Sequence, residues 1–391
     1  MFKTRVRHLR LLSFAVLAVP AQLHAAPDPL PRDAPTVARL IAQGPDRFRA
    51  YDTDHFTIVT DTRYDTIRPL TARLEGIHNA IIRFCAAMKL QTSPPPYRLP
   101  IMLFDRYEEF TAYAAKAGIA YGTAAGFYDQ STNVAAFANV LNTPTLAPVR
   151  GEIESLAGRL RAISEPVENP NAVQRRDDLV NHINALRSQQ DALVERFNRL
   201  VLQHEAAHQV FFNIGVHVRG ADNPAWLVEG LACQFEVPQS DLGGDLKHVN
   251  QMRLGDLRQA LRVAPDIRDE GKFAWRAALA SGPLVPLGDL IAAASLSADD
   301  SGVAAARYAE AWSLAYFLQH ERRDAFSAYL GGLARCADSA EHGHLGRGVS
   351  TPHKCGGSEE FHAVFGLLDD AFTRDWARFI LRLRYEPDGQ W

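Results

Sequence analysis

The sequence predicts an α+β fold: a strand-containing α/β part over residues 51–150, then a remainder that is almost entirely helical. Three observations predict it. Short apolar strand-like runs alternate with helix-periodic segments up to residue 150. Residues 151–200 are polar and charged with a helical period, and beyond residue 240 the signals are mostly helical. Strands confined to one part of a chain and helices to another give α+β rather than a repeating βαβ pattern.

The elements follow in order. Residues 26–50 are rich in Pro and Arg and read as a lead-in. FTIVTD (Phe56–Asp61) alternates as a strand does. Leu70, Leu74, Ile77, Ile81, Phe84 and Met88 then lie on one stripe of a helix over 65–90. SPPPY (Ser93–Tyr97) breaks the chain before RLPIMLF (Arg98–Phe104), a buried strand. YEEFTAYAAKAG (Tyr107–Gly118) is a short helix closed by its glycine, and GFYDQSTNVAAFA (Gly126–Ala138) is a strand pair round a polar turn. SEPVENPN (Ser164–Asn171) divides 151–200 into a helical hairpin, whose second helix carries Leu179, Ile183, Leu186, Leu193, Phe197 and Leu200. No breaker separates that helix from residues 201–214. The hairpin is an insertion, and its surface is the candidate partner-binding face. RYAEAWSLAYFLQH (Arg307–His320), FSAYLGGLA (Phe326–Ala334) and residues 359–384 are helical.

Composition sets the outer bounds. The 391 residues are 47% hydrophobic and 22% charged, which excludes disordered and collagenous chains. With 42 basic and 45 acidic residues, nothing points to nucleic acid or an anionic membrane as partner. Four cysteines make no disulfide framework. Lys3, Arg5, Arg7 and Arg10 precede the apolar run Leu11–Ala21, and Ala25 offers a small residue for cleavage, so residues 1–25 read as a secretory signal. The apolar run would rise about 17 Å as a helix, short of a bilayer core. The remaining chain has a net charge of −7 and no transmembrane segment, and is expected in the periplasm or outside a bacterial cell.

The chemistry lies in HEAAH (His204–His208), set in the apolar helix LVLQHEAAHQVFF. Histidines at i and i+4 stack on one helix face and can share one ion. Glu205 lies about 100° round the helix from His204. It is off the ligand row but in reach of a water at the metal, where a general base belongs. The pattern with a glycine and a third histidine further along the same helix is absent, because Phe211 and Ile214 occupy those positions. The other route to a third ligand is a carboxylate on a following helix. In ADNPAWLVEGLACQFE, Asn223 is an expected N-cap and Pro224 an expected first helical residue, which places Glu229 in the second turn. Gly230 next to it allows a close helix contact. His204, His208 and Glu229 are therefore the expected ligands of one Zn²⁺.

HEAAH followed by WLVEGLA resembles the gluzincin clan of thermolysin-like and aminopeptidase-like zinc metallopeptidases. Within it, the chain is most similar to a group of uncharacterised secreted bacterial proteins with a peptidase-like domain. The resemblance takes in DHFTIVTDT, RLPIMLF, GFYD, PAWLVEGLACQFE, YAEAWSLAYFL and FHAVFGLLDDAFTRDWARFI, and so most of residues 51–384 outside the insertion. It implies a two-lobed fold, with the zinc-site helices over 201–240 and a helical lobe over 241–391. It implies Glu205 as general base in peptide hydrolysis and Tyr308, opening YAEAWSLAYFL, as donor to the oxyanion. It implies that the strand pair Gly126–Ala138 is the edge that holds an extended peptide or protein substrate.

Departures are also visible. Thermolysin-type enzymes place an Asp four residues after the ligand Glu, where this chain has Cys233; Glu236 is the substitute candidate. The aminopeptidases' Gly-rich amine-recognition motif is absent. Cys336 and Cys355 bracket a Gly-rich loop with His342, His344 and His353, for which a disulfide in an oxidising compartment is the expectation. Cys85 and Cys233 are expected as buried thiols. A zinc-stabilised envelope scaffold and a zinc hydrolase of non-peptide amides remain as other classes.

Overall fold

The computed structural model describes residues 29–119, 125–163, 170–243, 248–261, 283–343 and 357–386, with side chains left undescribed over 336–343. The expected leader falls outside the described residues, and so does the expected Cys336–Cys355 bridge, since Cys355, His344 and His353 lie beyond them and the side chains of Cys336 and His342 are not described.

The chain is α+β, with one mixed five-stranded sheet. The elements in order are α1 (Ala34–Gln43), β1 (Arg49–Asp52), β2 (Phe56–Thr60), α2 (Tyr64–Ala87), β3 (Leu99–Phe104), α3 (Tyr107–Lys116), β4 (Gly126–Asp129) and β5 (Val134–Ala138). The sheet order is β1-β2-β3-β5-β4, with β2, β3 and β5 parallel and β1 and β4 antiparallel at the two edges. The lead-in carries α1 and leads into β1. Pro35 sits in the first turn of α1, where a missing N–H costs nothing, and the Asp33 side chain caps the helix through Thr36 N.

Every residue of β2, β3 and β5 is buried, as parallel strands covered on both faces require. Alternate side chains face different layers. Phe56, Ile58, Leu99, Ile101, Leu103, Ala135 and Phe137 pack with α2 and the helices of the candidate site. Val59, Met102, Phe104, Val134 and Ala136 pack instead with Val37 and Leu40 of α1 and Phe110 of α3.

The rest is helical: α4 (Ala147–Ala162), α5 (Pro170–Phe197), α6 (His204–Asn213), α7 (Ala225–Cys233), α8 (Gln239–Leu242), α9 (Gln251–Ala260), α10 (Leu287–Ala292), α11 (Ser301–Glu321), α12 (Arg323–Gly343), α13 (Ser358–Phe365) and α14 (Asp370–Arg382). The expected hairpin is α4 with α5, closed over a small core of Ile153, Leu156 and Ile183. Its second helix does run on into α6, through a π-helical turn at Asn198–Gln203 that the sequence pattern does not announce. The helix expected over 359–384 is two helices, α13 and α14. They part at Gly366, whose φ of +80° suits glycine. Among the described residues no helix is long and apolar enough to cross a membrane.

Candidate metal centre

Helix α6 is locked beneath the β4–β5 hairpin by polar side chains. Gln209 Nε2 donates to Pro100 O at 2.9 Å and to Asn133 O at 3.0 Å, while Asn213 and Asn133 exchange amide hydrogen bonds at 2.7 and 2.9 Å. Asn133 has a φ of 60°, a left-handed turn conformation that asparagine tolerates. Before α6, Gln203 Nε2 donates to Val237 O at 2.9 Å, tying the π turn to the chain that follows α7. Helix α6 thus has little freedom to slide along either neighbour.

Helix α7 brings Glu229 to the same place. Its start departs from expectation. The helix begins at Ala225, with Pro224 as the residue before it, and Asn223 does not cap it. Asn223 instead closes the preceding loop. It accepts from Val218 N at 2.9 Å and donates to Val218 O at 2.8 Å. The loop needs those bonds because it turns the chain back within a few residues of α6. Glu229 still falls in the second turn. Gly230 is indispensable to the packing: a Cβ there would lie 2.6 Å from Ala311 O of α11.

His204, His208 and Glu229 converge as the sequence predicts. His204 Nε2 lies 3.0 Å from Glu229 Oε2 and 3.0 Å from His208 Nε2, and His208 Nε2 lies 3.3 Å from the same carboxylate oxygen. A tetrahedral ion with bonds of about 2.0–2.1 Å would set its ligand atoms about 3.3 Å apart. Two imidazole nitrogens and a carboxylate oxygen, spaced in that way, fit a divalent cation. Both rings are buried, and they meet nearly perpendicular at 89°.

Charge at the site is arranged for such a cation. Burial alone would raise the Glu229 carboxyl, but His208 and His204 beside it hold it well below the usual carboxylate range. Burial would lower the His204 imidazolium, but Cys233, Glu229 and Glu236 around it raise it well above its ordinary value. The carboxylates of Glu229 and Glu236 that raise it place negative charge where a divalent cation would displace the proton.

Glu205 stands beside this cluster without joining it. Its Oε2 accepts from Tyr128 N of β4 at 2.9 Å. Burial raises its pKa, and His204 and His208 only partly oppose that. The Tyr128 N–H therefore points away from β5 and into the site, which makes β4 an edge facing Glu205. Tyr308 is also present, its ring centroid 6.0 Å from that of His204. It does not open its helix, however. Helix α11 starts at Ser301, capped by Asp300 through Val303 N at 2.9 Å, so Tyr308 is its eighth residue. The first turns, residues 301–306, carry mostly small side chains, so the strongly apolar stretch begins only further along. Burial, then Glu229, push the Tyr308 phenol above its usual value, so it stays a donor.

Glu236 supports His204. Its Oε1 lies 2.9 Å from His204 Nδ1, and it is wholly buried. With the anionic carboxylate there, Nδ1 carries the proton and Nε2 keeps its lone pair for the cation. Burial pushes the Glu236 carboxyl up, and the Arg253 charge with His204 more than reverses this. Arg253 and Asn250 on α9 were not foreseen. Asn250 had the signal of an N-cap residue; nothing local marks Arg253. His204, Cys233 and Glu236 also lie close enough together to hold an ion. That grouping shares His204, and its carboxylate is already bonded by Arg253 and Asn250, so it belongs to the support of the first. Cys233 and Cys85 are buried thiols, as expected. His217, also unforeseen, is buried against Phe211 and Phe212 with its rings 5.4 and 5.1 Å from theirs.

Residues 200–337 match a family model described as a protein of unknown function (DUF1570). The matched span holds His204, Glu205, His208, Glu229, Glu236, Arg253 and Tyr308, and leaves out the sheet and the α4–α5 hairpin. No curated protein matches the chain.

Proposed function

We propose that this chain is an exported zinc metallopeptidase of gluzincin type. The observation that carries the reading is the convergence of His204, His208 and Glu229 at 3.0–3.3 Å with Glu205 alongside, on two packed helices of which the first is tied to the β4–β5 edge. His204, His208 and Glu229 would hold Zn²⁺, which would supply Lewis-acid chemistry and a water of pKa lowered towards about 7.

The chain's own residues supply the rest. Glu205, its pKa raised by burial, takes a proton from the attacking water and hands it to the departing amine nitrogen as the C–N bond breaks. The Tyr128 N–H holds that carboxylate in place until substrate arrives. The Tyr308 hydroxyl donates to the oxyanion that develops on the substrate carbonyl. The outward edge of β4 pairs with an extended peptide and so lays the scissile bond beside Glu205. A metal site kept for stability alone has no use for a carboxylate placed like that of Glu205, which favours an enzyme over a scaffold. The basic-then-apolar N-terminal segment supports export.

Two variants test this. Purified protein should carry about one zinc per chain, as a single tetrahedral site requires. Glu229→Ala should lose the zinc. Glu205→Gln should keep the metal and lose turnover on a peptide library. A metal-free wild type that folds, or an active Glu205→Gln, would overturn the reading. Cleavage of cell-wall amides but of no peptide would transfer it to a non-peptide hydrolase.

A further inference from the structure

One guanidinium touches both working arms of the site. Arg253 lies on α9, seventeen residues beyond Glu236 and outside the helices that carry the ligands. Its Nε donates to Glu236 Oε2 and its Nη2 to Glu236 Oε1, each at 2.7 Å, a bidentate grip on a fully buried carboxylate. The Oε1 so held is the atom that faces His204 Nδ1. On its other side, Arg253 Cζ lies 5.4 Å from the centre of the Tyr308 ring.

The local chain is built to place this side chain. Asn250 caps α9 by accepting from Arg253 N at 3.1 Å. The same Asn250 amide donates to Cys233 O at 2.8 Å, at the end of α7, and to Glu236 Oε2 at 3.1 Å. The first turn of α9 is therefore pinned to the end of the helix that carries Glu229. A planar fork that fits a carboxylate edge-on fixes the carboxylate plane, as a lysine cannot. Its flat face is then left to stack on an aromatic ring.

We propose that Arg253 is a positioning residue that sets the metal ligand His204, through Glu236, and the oxyanion donor Tyr308 at the same time. It rests on the metal site of the reading above but not on the reaction assigned to it. With Arg253 in place, Glu236 is held in one orientation. His204 then has one tautomer and one ring angle, with Nε2 aimed at Glu229 and His208. The cation–π contact holds the Tyr308 ring on the same frame, so the donor and the ligand cannot drift independently.

The test has two readouts. The first is zinc affinity of the purified full chain, measured by competition with a chromophoric chelator, without any substrate. Loss of such an outer partner weakens metal binding by about 10–100-fold. Arg253→Met is expected in that range. Arg253→Lys, which keeps the charge but not the fork, should lie between it and wild type. Arg253→Met leaves Glu236 as an unpaired buried charge and can fail to fold. Arg253→Met with Glu236→Gln removes both charges while leaving an acceptor for Nδ1–H. It should fold and bind zinc about tenfold more weakly than wild type. The second readout is a kcat cycle between Arg253→Lys and Tyr308→Phe on any substrate the wild type cleaves. The two changes should be non-additive, with KM little altered.

Wild-type zinc affinity in the double variant, or in a folded Arg253→Met, overturns the proposal. So does an additive cycle. If the wild type binds zinc and cleaves nothing, the assigned reaction fails while the affinity measurements still judge Arg253.

Discussion

Replacing Gly230 by alanine probes the contact that brings Glu229 to the site. A methyl at this position would lie 2.6 Å from Ala311 O, 3.0 Å from Ala311 C and 3.2 Å from Ala315 Cβ. Uncrowded carbon contacts fall near about 3.5 Å, so α7 and α11 would have to part by about 0.9 Å. The nearest obstacle is backbone, which cannot swing aside as a side chain can. Overpacking of this kind costs about 1–3 kcal/mol. Removing a glycine from a helix returns about 1 kcal/mol. The expected net loss is roughly 1–2 kcal/mol, taking the upper part of the overpacking range. Gly158 in α4 is the matched control: a methyl there meets nothing within 4 Å. Gly158→Ala should therefore gain about 0.5–1 kcal/mol. The two substitutions are chemically identical, so their difference of roughly 2–3 kcal/mol isolates the helix contact. Urea unfolding of the metal-free protein measures both. Zinc affinity should fall in Gly230→Ala alone, because Glu229 is carried on the helix that moves. The reasoning is refuted if Gly230→Ala gains stability as Gly158→Ala does, or holds zinc as tightly as wild type.

Two further predictions concern pH. Burial lowers the His78 imidazole to about 4, helped by His55, whose ring stacks on it at 3.6 Å, and opposed by Glu75. An unfolded histidine titrates near 6.5, so between there and about 4 the unfolded chain binds a proton that the folded chain refuses. Stability should fall with pH across that window, and His78→Phe, which keeps a stacked ring, should flatten the fall in urea unfolding at pH 7, 5.5 and 4.5. An unchanged slope would count against the buried neutral ring. Glu310 has the opposite sign: burial raises its carboxyl to about 8, with Val285 N donating to it at 3.2 Å. The folded chain keeps a proton that the unfolded chain releases above about 4.5, so stability falls as pH rises towards 8, at up to about 1.4 kcal/mol per unit. Glu310→Gln should remove that dependence and gain on wild type between pH 5 and 8; equal pH profiles would show that Glu310 is ionised in the fold.

Much of the candidate site is legible because its information is local. His204 and His208 are one turn apart on a single helix, and no tertiary contact is needed to place them on one face. Glu229 is legible for a related reason: a short link and a second helix leave few ways to return to the first. The strands β3 and β5 announce themselves as apolar runs, as strands covered on both faces tend to be, and β2 by its alternation. Helix α1 goes unnamed in the sequence because the same prolines that break helices also start them, and Asp33 with Pro35 decides between the two only when the helix has a surface to pack on. The start of α11 is hidden in the sequence because its first turns carry mostly small side chains, so that strong hydrophobic periodicity begins only further along.

By itself, then, the sequence determined the cluster of His204, His208 and Glu229, the Glu205 carboxylate beside it, the strand-rich beginning and the helical remainder. Each of these follows from spacing along one or two adjacent elements. Only the tertiary structure decided what holds the triad in working order. The Tyr128 N–H meets Glu205 from 77 positions earlier in the chain, and the Arg253 grip on Glu236 spans 17 positions and another helix. Such partners leave no periodic trace, because packing of whole elements brings them together, and burial then makes each polar group answer to whichever partner the fold supplies.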